Sequence, residues 1–365
     1  MDPMQRALSL ARQAVGRTSP NPAVGAVLMK DGRVVGEGYY RGPGSRHAEV
    51  AALRQAGEAA LGATMYVTLE PCCHQGRTPP CTRAIVKAGV REVHFPHLDP
   101  DPKVCGQGRA ELESAGVRVV TGEGEREARR INEAYIKQRT SGLPFVTAKF
   151  ASSLDGKIAA ASGDSRWVSG RQARQWAHRQ RARVDVIMVG VNTVLLDDPQ
   201  LTARPGGRLA RRQPLRVVAD SRGRTPVSAR VLQGSAPTLV ATTEASPPAW
   251  REAMASAGAE VAVLGSEREG HVDLPSLLRL LGERGLLSLL VEGGGELLGS
   301  FFDRGLVDKV EAIVAPAIVG GTSFTAVGGG GVQRMADALR LQEVEVERLG
   351  ADLLVTGYTR QQAFE

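Results

Sequence analysis

His47-Ala48-Glu49, Pro71-Cys72 and Cys81 bring one imidazole, two thiols and one carboxylate into a short stretch of chain. Zinc accepts imidazole nitrogen and thiolate sulfur, and a site with three protein ligands keeps its fourth position open for water. The metal lowers the pKa of that water toward 7. A neighbouring carboxylate can then carry the water proton to a leaving amine. The set therefore suits hydrolytic deamination, with His47, Cys72 and Cys81 as ligands and Glu49 as proton carrier. His47 and Glu49 lie two apart, so the first turn of one helix can aim both at one pocket.

Zinc deaminases of nucleobases carry H-x-E followed by P-C-x-x-C. This chain departs from that spacing. Cys73 and His74 follow Cys72 directly, and the loop runs on through Gln75-Gly76-Arg77-Thr78-Pro79-Pro80 to Cys81. Cys73 and His74 are rival ligands. Cys72 is preferred because it follows Glu70-Pro71 at the end of an apolar run, 65–69, that reads as a strand. Neighbouring side chains on an extended chain point opposite ways, so Cys72 and Cys73 are not expected on one ion. Pro79-Pro80 then introduces the helix that carries Cys81. A chance H-x-E among buried cysteines, or a structural clamp of four ligands, is the plainer alternative.

At 365 residues, the chain is long enough for two cores. Its 42% apolar and 23% charged residues are ordinary for a globular protein. No apolar run reaches the length that spans a bilayer, and the N-terminus lacks the apolar block of a signal peptide. Three of the four cysteines fall within ten positions, which reads as a metal site in a reducing compartment. The cytoplasm is the expected location. The net charge of +7 suits either nucleic acid or a small anionic substrate with a phosphorylated cofactor. Aromatic residues make up only 4%, so base-stacking platforms are scarce. Nucleic acid is not expected as a partner.

The elements that must position these groups alternate in type. Helices are expected at 4–15, 47–55, 81–88 and 125–139. Strands are expected at 24–29 and 34–39, joined by Asp31-Gly32 as a hairpin, and at 65–69, 90–95 and 117–120. Ser141-Gly142-Leu143-Pro144 reads as the boundary, giving domains 1–143 and 144–365. The second half predicts strands at 145–150, 185–189, 215–219, 238–241, 261–264, 286–291, 309–314, 343–348 and 352–358. Its helices are expected at 171–183, 274–283 and 296–304. Strands separated by helices imply α/β sheets covered on both faces.

In that second half, Val291-Glu292-Gly293-Gly294-Gly295-Glu296 ends a strand and opens a helix. Glycines there let the backbone approach a phosphate, and the N–H groups of the helix start face the anion. The run lacks the G-x-G-x-x-G spacing, so a Rossmann dinucleotide fold is excluded. Taken alone, such glycines are as often simple turn formers.

Together these motifs resemble one family. Asn21-Pro22-Ala23-Val24-Gly25, His47-Ala48-Glu49 and Thr68-Leu69-Glu70-Pro71-Cys72 with Gly76-Arg77-Thr78-Pro79-Pro80-Cys81 are similar to the bifunctional deaminase/reductases of riboflavin biosynthesis. The long loop between the cysteines separates that family from cytidine and tRNA deaminases. Residues 151–157, 163–167 and 189–199, with Val291-Glu292-Gly293-Gly294, resemble its reductase half. Where the family commonly has serine, this chain has Cys73.

The resemblance implies a cytidine-deaminase-like α/β/α sandwich followed by a dihydrofolate-reductase-like α/β domain, with Zn²⁺ in the first and NADPH in the second. The implied substrate is a small phosphorylated pyrimidine, 2,5-diamino-6-ribosylamino-4(3H)-pyrimidinone 5′-phosphate. It would be deaminated and then reduced at the ribosyl side chain. By position, Ala151, Trp167, Thr193, Asp197, Ser221, Gly294, Gly295, Glu296, Leu297, Leu298, Gly299 and Ser300 would contact NADPH. Asn21, His74, Arg77, Ser165, Arg181, Leu201, Arg204 and Glu292 would contact substrate. Glu292 and Asp155 are candidates for the reductase proton donor. A homo-oligomer, dimer or tetramer, is expected, with no membrane partner. The rival readings are a nucleic-acid or nucleoside zinc deaminase with a C-terminal binding domain, and a regulatory pyrimidine-binding protein with a dead zinc site.

Overall fold

A computed structural model of the chain describes residues 2–76, 79–266, 270–322 and 324–360. They form two compact units, 2–142 and 143–360. In chain order the first unit contains α1 (Pro3–Ala14), β1 (Gly25–Lys30), β2 (Arg33–Tyr39), α2 (Ala48–Ala56), β3 (Thr64–Val67), α3 (Cys81–Lys87), β4 (Glu92–Phe95), α4 (Gln107–Ser114), β5 (Arg118–Thr121), α5 (Glu125–Ile131) and α6 (Glu133–Ser141). Its sheet has the order β2-β1-β3-β4-β5. β1 runs antiparallel to β2 and β3, whereas β3, β4 and β5 are parallel.

Local chemistry explains these elements. Asp2 caps α1 by accepting the Met4 N–H at 2.8 Å. Met4, Ala7, Leu8 and Ala11 recur at helical spacing and are fully buried. Asp31 and Gly32 take φ of 49° and 73°, the left-handed pair that a two-residue hairpin turn requires. Alternation along β1 then sorts the layers. Ala26 and Leu28 join Met65, Val67, Val93 and Phe95 under Ala48, Ala52, Ile85 and Leu112 of α2, α3 and α4. Val27 turns to Ala7 and Leu10 of α1 on the opposite face.

The helix expected at 125–139 is interrupted. Asn132 separates α5 from α6, and its carboxamide both accepts from the Ala23 N–H at 2.8 Å and donates to the Ala23 carbonyl at 3.0 Å. The Asn132 backbone itself takes φ −110° and ψ 19°, outside regular helical values, and the helix breaks there.

α4 was not expected from the sequence. Its start is capped from a distance by Glu70, a buried residue just beyond β3. The Glu70 carboxylate accepts backbone N–H bonds from Asp99 at 3.0 Å, Gly106 at 3.0 Å and Arg109 at 2.9 Å. Negative charge at a helix N-terminus is favourable there. Gly108 lets the helix come close, since a Cβ at that position would sit 2.1 Å from the Pro71 carbonyl oxygen.

The second unit contains β6 (Phe145–Ser153), α7 (Arg171–Arg181), β7 (Val186–Gly190), α8 (Val191–Asp197), β8 (Leu215–Ala219), β9 (Thr238–Thr242), α9 (Pro248–Ser256), β10 (Glu260–Val263), α10 (Leu274–Glu283), β11 (Ser288–Glu292), α11 (Gly295–Asp303), β12 (Lys309–Ala315), β13 (Gln342–Leu349) and β14 (Asp352–Tyr358). α8 and α9 were not expected from the sequence. The nine-stranded sheet has the order β10-β9-β8-β7-β11-β6-β12-β14-β13. β10 through β12 are mutually parallel, and the β13–β14 hairpin adds an antiparallel edge. Leu274, Leu277, Leu278 and Leu281 of α10 pack with Phe301 of α11 over Val186, Met188, Leu289 and Val291. No helix of the described residues is long and apolar enough to cross a membrane.

Glu70→Ala should strand three N–H groups at once. Bonds to a buried charge contribute about 1.5–3 kcal/mol each, so urea denaturation should report a loss of about 3 kcal/mol or more. Glu70→Gln, which keeps one oxygen, should lose less. Equal stability of all three proteins would show that the carboxylate carries no structural weight.

Candidate active sites

The end of β3 and the starts of two helices build the first site. His47 is the residue before α2, Glu49 lies in its first turn, and Cys81 opens α3 directly after Pro80. Cys72 follows the Glu70-Pro71 clamp. The Nδ1 of His47 lies 3.6 Å from the Cys72 Sγ and 3.2 Å from the Cys81 Sγ. The three ligand atoms lie within 4.8 Å of one another. Zinc bonds of about 2.1 Å to nitrogen and 2.3 Å to sulfur at tetrahedral angles require ligand atoms about 3.6 Å apart. The donor set thus fits zinc in both chemistry and span.

The electrostatics favour a cation. Hydrogen bonding from the Cys81 thiol, with help from His47 and the Cys81 N–H, lowers the Cys72 thiol, while the same pairing raises Cys81. One thiolate is therefore ready for a metal. Glu49 is only 4% exposed. Burial raises its carboxyl, and the nearby Cys72 pushes the same way.

The rival ligands sit elsewhere. Cys73 points away, its Sγ 3.8 Å from the Lys103 carbonyl and 4.0 Å from the Gln107 Oε1. His74 is exposed, and neither belongs to the cluster among the described residues. Arg77 lies outside the described residues. Asn21 is half-buried and donates to the Tyr40 hydroxyl at 2.8 Å. Tyr40 is itself buried and meets the His47 ring edge-on, centroids 5.5 Å apart. Sequence reasoning missed Tyr40, because only the hairpin brings residue 40 back beside residues 21 and 47.

The second site is a cavity of about 1210 Å³ at the C-terminal ends of β6, β7, β8 and β11. Parallel sheets place their ligands at those ends. Ala151, Thr193, Asp197, Ser221, Gly294, Gly295, Glu296, Leu297, Leu298 and Ser300 line it, as do Ser165, Arg181, Leu201 and Glu292. Three expected residues do not. Trp167 is 71% exposed, with the Arg174 guanidinium 4.6 Å from its ring centroid. Arg204 donates to the Gln200 Oε1 at 3.3 Å. Gly299 faces the loop at Gly328, where a Cβ would sit 2.3 Å from the carbonyl carbon, so close packing explains that glycine.

Arg181 forms a two-pronged pair with Glu292, at 2.9 Å and 2.6 Å. Lys149, which the sequence did not single out, approaches the same carboxylate at 3.8 Å. Burial pushes Glu292 up, but Arg181 and Lys149 outweigh it and hold the carboxyl at about 2. Asp155 accepts from the Ser153 hydroxyl at 2.6 Å and from the N–H groups of Val319 and Gly320, and stays at about 2. Both carboxylates are ionised near neutrality, so neither is poised to donate a proton.

Cys73→Ser should leave one zinc per chain by elemental analysis, whereas Cys72→Ser and Cys81→Ser should each lose most of it. Metal lost from the Cys73 variant alone would move the ligand to that position.

Comparisons with known proteins cover both units. Residues 2–96 match the cytidine and deoxycytidylate deaminase zinc-binding region, and residues 144–355 match the RibD C-terminal domain. The riboflavin biosynthesis protein RibD of Aquifex aeolicus (strain VF5) is 42% identical over 355 residues, covering 96% of each chain. That of Escherichia coli (strain K12) is 40% identical over 362 residues, again covering 96% of each. The structure of Acinetobacter baumannii RibD, form 1, superposes with a TM-score of 0.87 at 38% identity and covers 98% of both chains. A Thermotoga maritima diaminohydroxyphosphoribosylaminopyrimidine deaminase/5-amino-6-(5-phosphoribosylamino)uracil reductase gives 0.85 at 36% identity, covering 98% of this chain and 97% of its own. This chain belongs to the RibD family of bifunctional riboflavin-biosynthesis enzymes, with zinc serving its deaminase activity and NADPH its reductase activity.

Proposed function

We propose that residues 1–143 deaminate 2,5-diamino-6-ribosylamino-4(3H)-pyrimidinone 5′-phosphate and that residues 144–365 reduce the ribosyl side chain of the product to ribityl. The Thermotoga maritima relative, a diaminohydroxyphosphoribosylaminopyrimidine deaminase/5-amino-6-(5-phosphoribosylamino)uracil reductase, supports this choice of substrate. The observation that carries the first half is the close His47, Cys72 and Cys81 cluster with buried Glu49 beside it.

His47, Cys72 and Cys81 would hold the zinc. When bound, zinc supplies a Lewis acid that makes water a nucleophile at neutral pH. Glu49 takes a proton from that water on its carboxylate and returns it to the departing amine, so ammonia leaves as a neutral group. Its raised carboxyl suits both directions of transfer. Asn21, whose amide N–H is engaged by Tyr40, presents its carbonyl oxygen to the pyrimidine. His74 and Arg77 are assigned to the phosphorylated end of the substrate, on their donor groups and charge.

Bound in the second unit, NADPH would supply a hydride for C1′ of the ring-opened imine, whose nitrogen already carries a proton taken from solvent, so that a neutral secondary amine results. The strand ends and the Gly294 to Ser300 turn hold the dinucleotide, with Ala151, Thr193, Asp197 and Ser221 along the wall. Arg181 spends two N–H groups on Glu292 and keeps others for the sugar phosphate. Glu292, being ionised, would accept hydroxyl hydrogens and offset the positive charge of the protonated imine before hydride addition removes it. Ser165 and Leu201 complete the substrate wall.

We assign the chain to the cytoplasm, where thiols at a metal site stay reduced, and to a homo-oligomer. Val346 of β13 and Leu353 of β14 share one sheet face by register and are 63% and 38% exposed. A second copy would cover them. Val346→Glu should shift the protein toward monomer in sedimentation velocity, whereas an unchanged distribution would move the contact elsewhere.

Glu49→Gln should keep one zinc per chain and full NADPH consumption with the deaminated substrate, while ammonia release falls about 10²-fold or more. Undiminished ammonia release would remove the shuttle role.

A further inference from the structure

Four parallel strands, in the order β8-β7-β11-β6, open their C-terminal ends into the large cavity. Register aligns those ends, pairing Gly190 with Ala219 and Glu292 with Lys149. On the reading above, the cofactor pyrophosphate sits at the turn after β11. A dinucleotide held there must run along the strand ends in both directions. Toward β6 lie Ala151 and the Arg181, Glu292 and Lys149 cluster, which is the substrate side. Toward β8, two strand spacings or about 10 Å away, lies the place for the adenosine end.

The chain leaves β8 as Asp220-Ser221-Arg222-Gly223-Arg224. Asp220 is fully buried and fixes this turn. Its carboxylate accepts from the Arg224 N–H at 2.7 Å, the Thr225 N–H at 2.6 Å and the Thr225 hydroxyl at 2.7 Å. The Val272 N–H donates to the Ser221 Oγ at 3.0 Å and so ties the segment carrying His271 to the same turn. Arg222, Arg224 and His271 all line this end of the cavity. Both arginines are exposed, and among the described residues neither pairs with an acid. The acids that do line the cavity are engaged elsewhere: Glu292 with Arg181, Asp197 with Ser165 and Glu296 with Asn192.

We propose that Arg222 and Arg224, with His271 beside them, bind the phosphate on the adenosine ribose that distinguishes NADPH from NADH, and so set cofactor choice. Two guanidinium forks on a rigid turn match a phosphate dianion. NADH, lacking that group, gains nothing from them. This assignment rests on the cavity being the NADPH site.

The test uses the full-length, zinc-loaded chain with Arg222→Ala and Arg224→Ala combined. Each lost charge-assisted bond weakens binding by about tenfold. The kcat/KM ratio of NADPH over NADH should therefore fall about 10- to 100-fold, mainly through the KM for NADPH. Adenosine 2′,5′-bisphosphate should inhibit the parent reductase and lose that potency against the variant. Ammonia release in the same sample reports that the chain is folded. An unchanged ratio, or equal inhibition of both proteins, overturns the arginine assignment. Gly294→Val separates the two layers. If it impairs both nucleotides while the arginine variant keeps the parent ratio, only the arginine assignment falls. If it leaves both nucleotides unaffected, the cavity reading falls and takes this assignment with it.

Discussion

A carboxylate taken out of water must find donors or cations, or give up its charge. Three of the four glutamates buried among the described residues meet that demand in three ways, and both sites depend on the result. Glu70 is satisfied by three backbone N–H groups and becomes a structural clamp. Glu292 is satisfied by Arg181 and Lys149 and stays ionised. Glu49 lies beside the residues that would hold zinc, and burial together with the nearby Cys72 raises its carboxyl. One residue type thus yields a clamp, a fixed anion and a carboxyl with a raised proton affinity, separated by environment alone.

Both units set their chemistry where strands end and helices begin. At those junctions the backbone has unpaired N–H groups, and side chains from elements distant in sequence converge. The first unit uses the junction for soft ligands, so its geometry hangs on a few heavy atoms. The second uses it for an extended wall, so its geometry is shared among four parallel strands.

Much of this was legible in the sequence because it is carried by local rules. The His47, Cys72 and Cys81 set, the Asp31-Gly32 turn, α10 and β14 each follow from residue type and spacing over a few positions. The choice of Cys72 over Cys73 followed from alternation along an extended segment. α4 was illegible because its cap, Glu70, lies far back in the chain. α9 could have been found from Pro247-Pro248, by the same logic that placed α3 after Pro79-Pro80. Asn132 interrupts its helix for a contact with Ala23 that no local pattern announces. Tyr40 and Lys149 matter through neighbours that only strand pairing supplies. Trp167, Gly299 and Arg204 do not line the cavity in this structure, and each has a local partner, Arg174, the Gly328 loop and Gln200.

Gly108 shows how far such dependence reaches. Its missing side chain lets a helix rest against the carbonyl of Pro71, one residue before a metal ligand. Even the smallest branch there would have to push the support off the ledge it steadies. A position that never meets pyrimidine, water or metal is thereby held as tightly as those that do, and inherited variation should be as rare at this silent prop as at the ligands themselves.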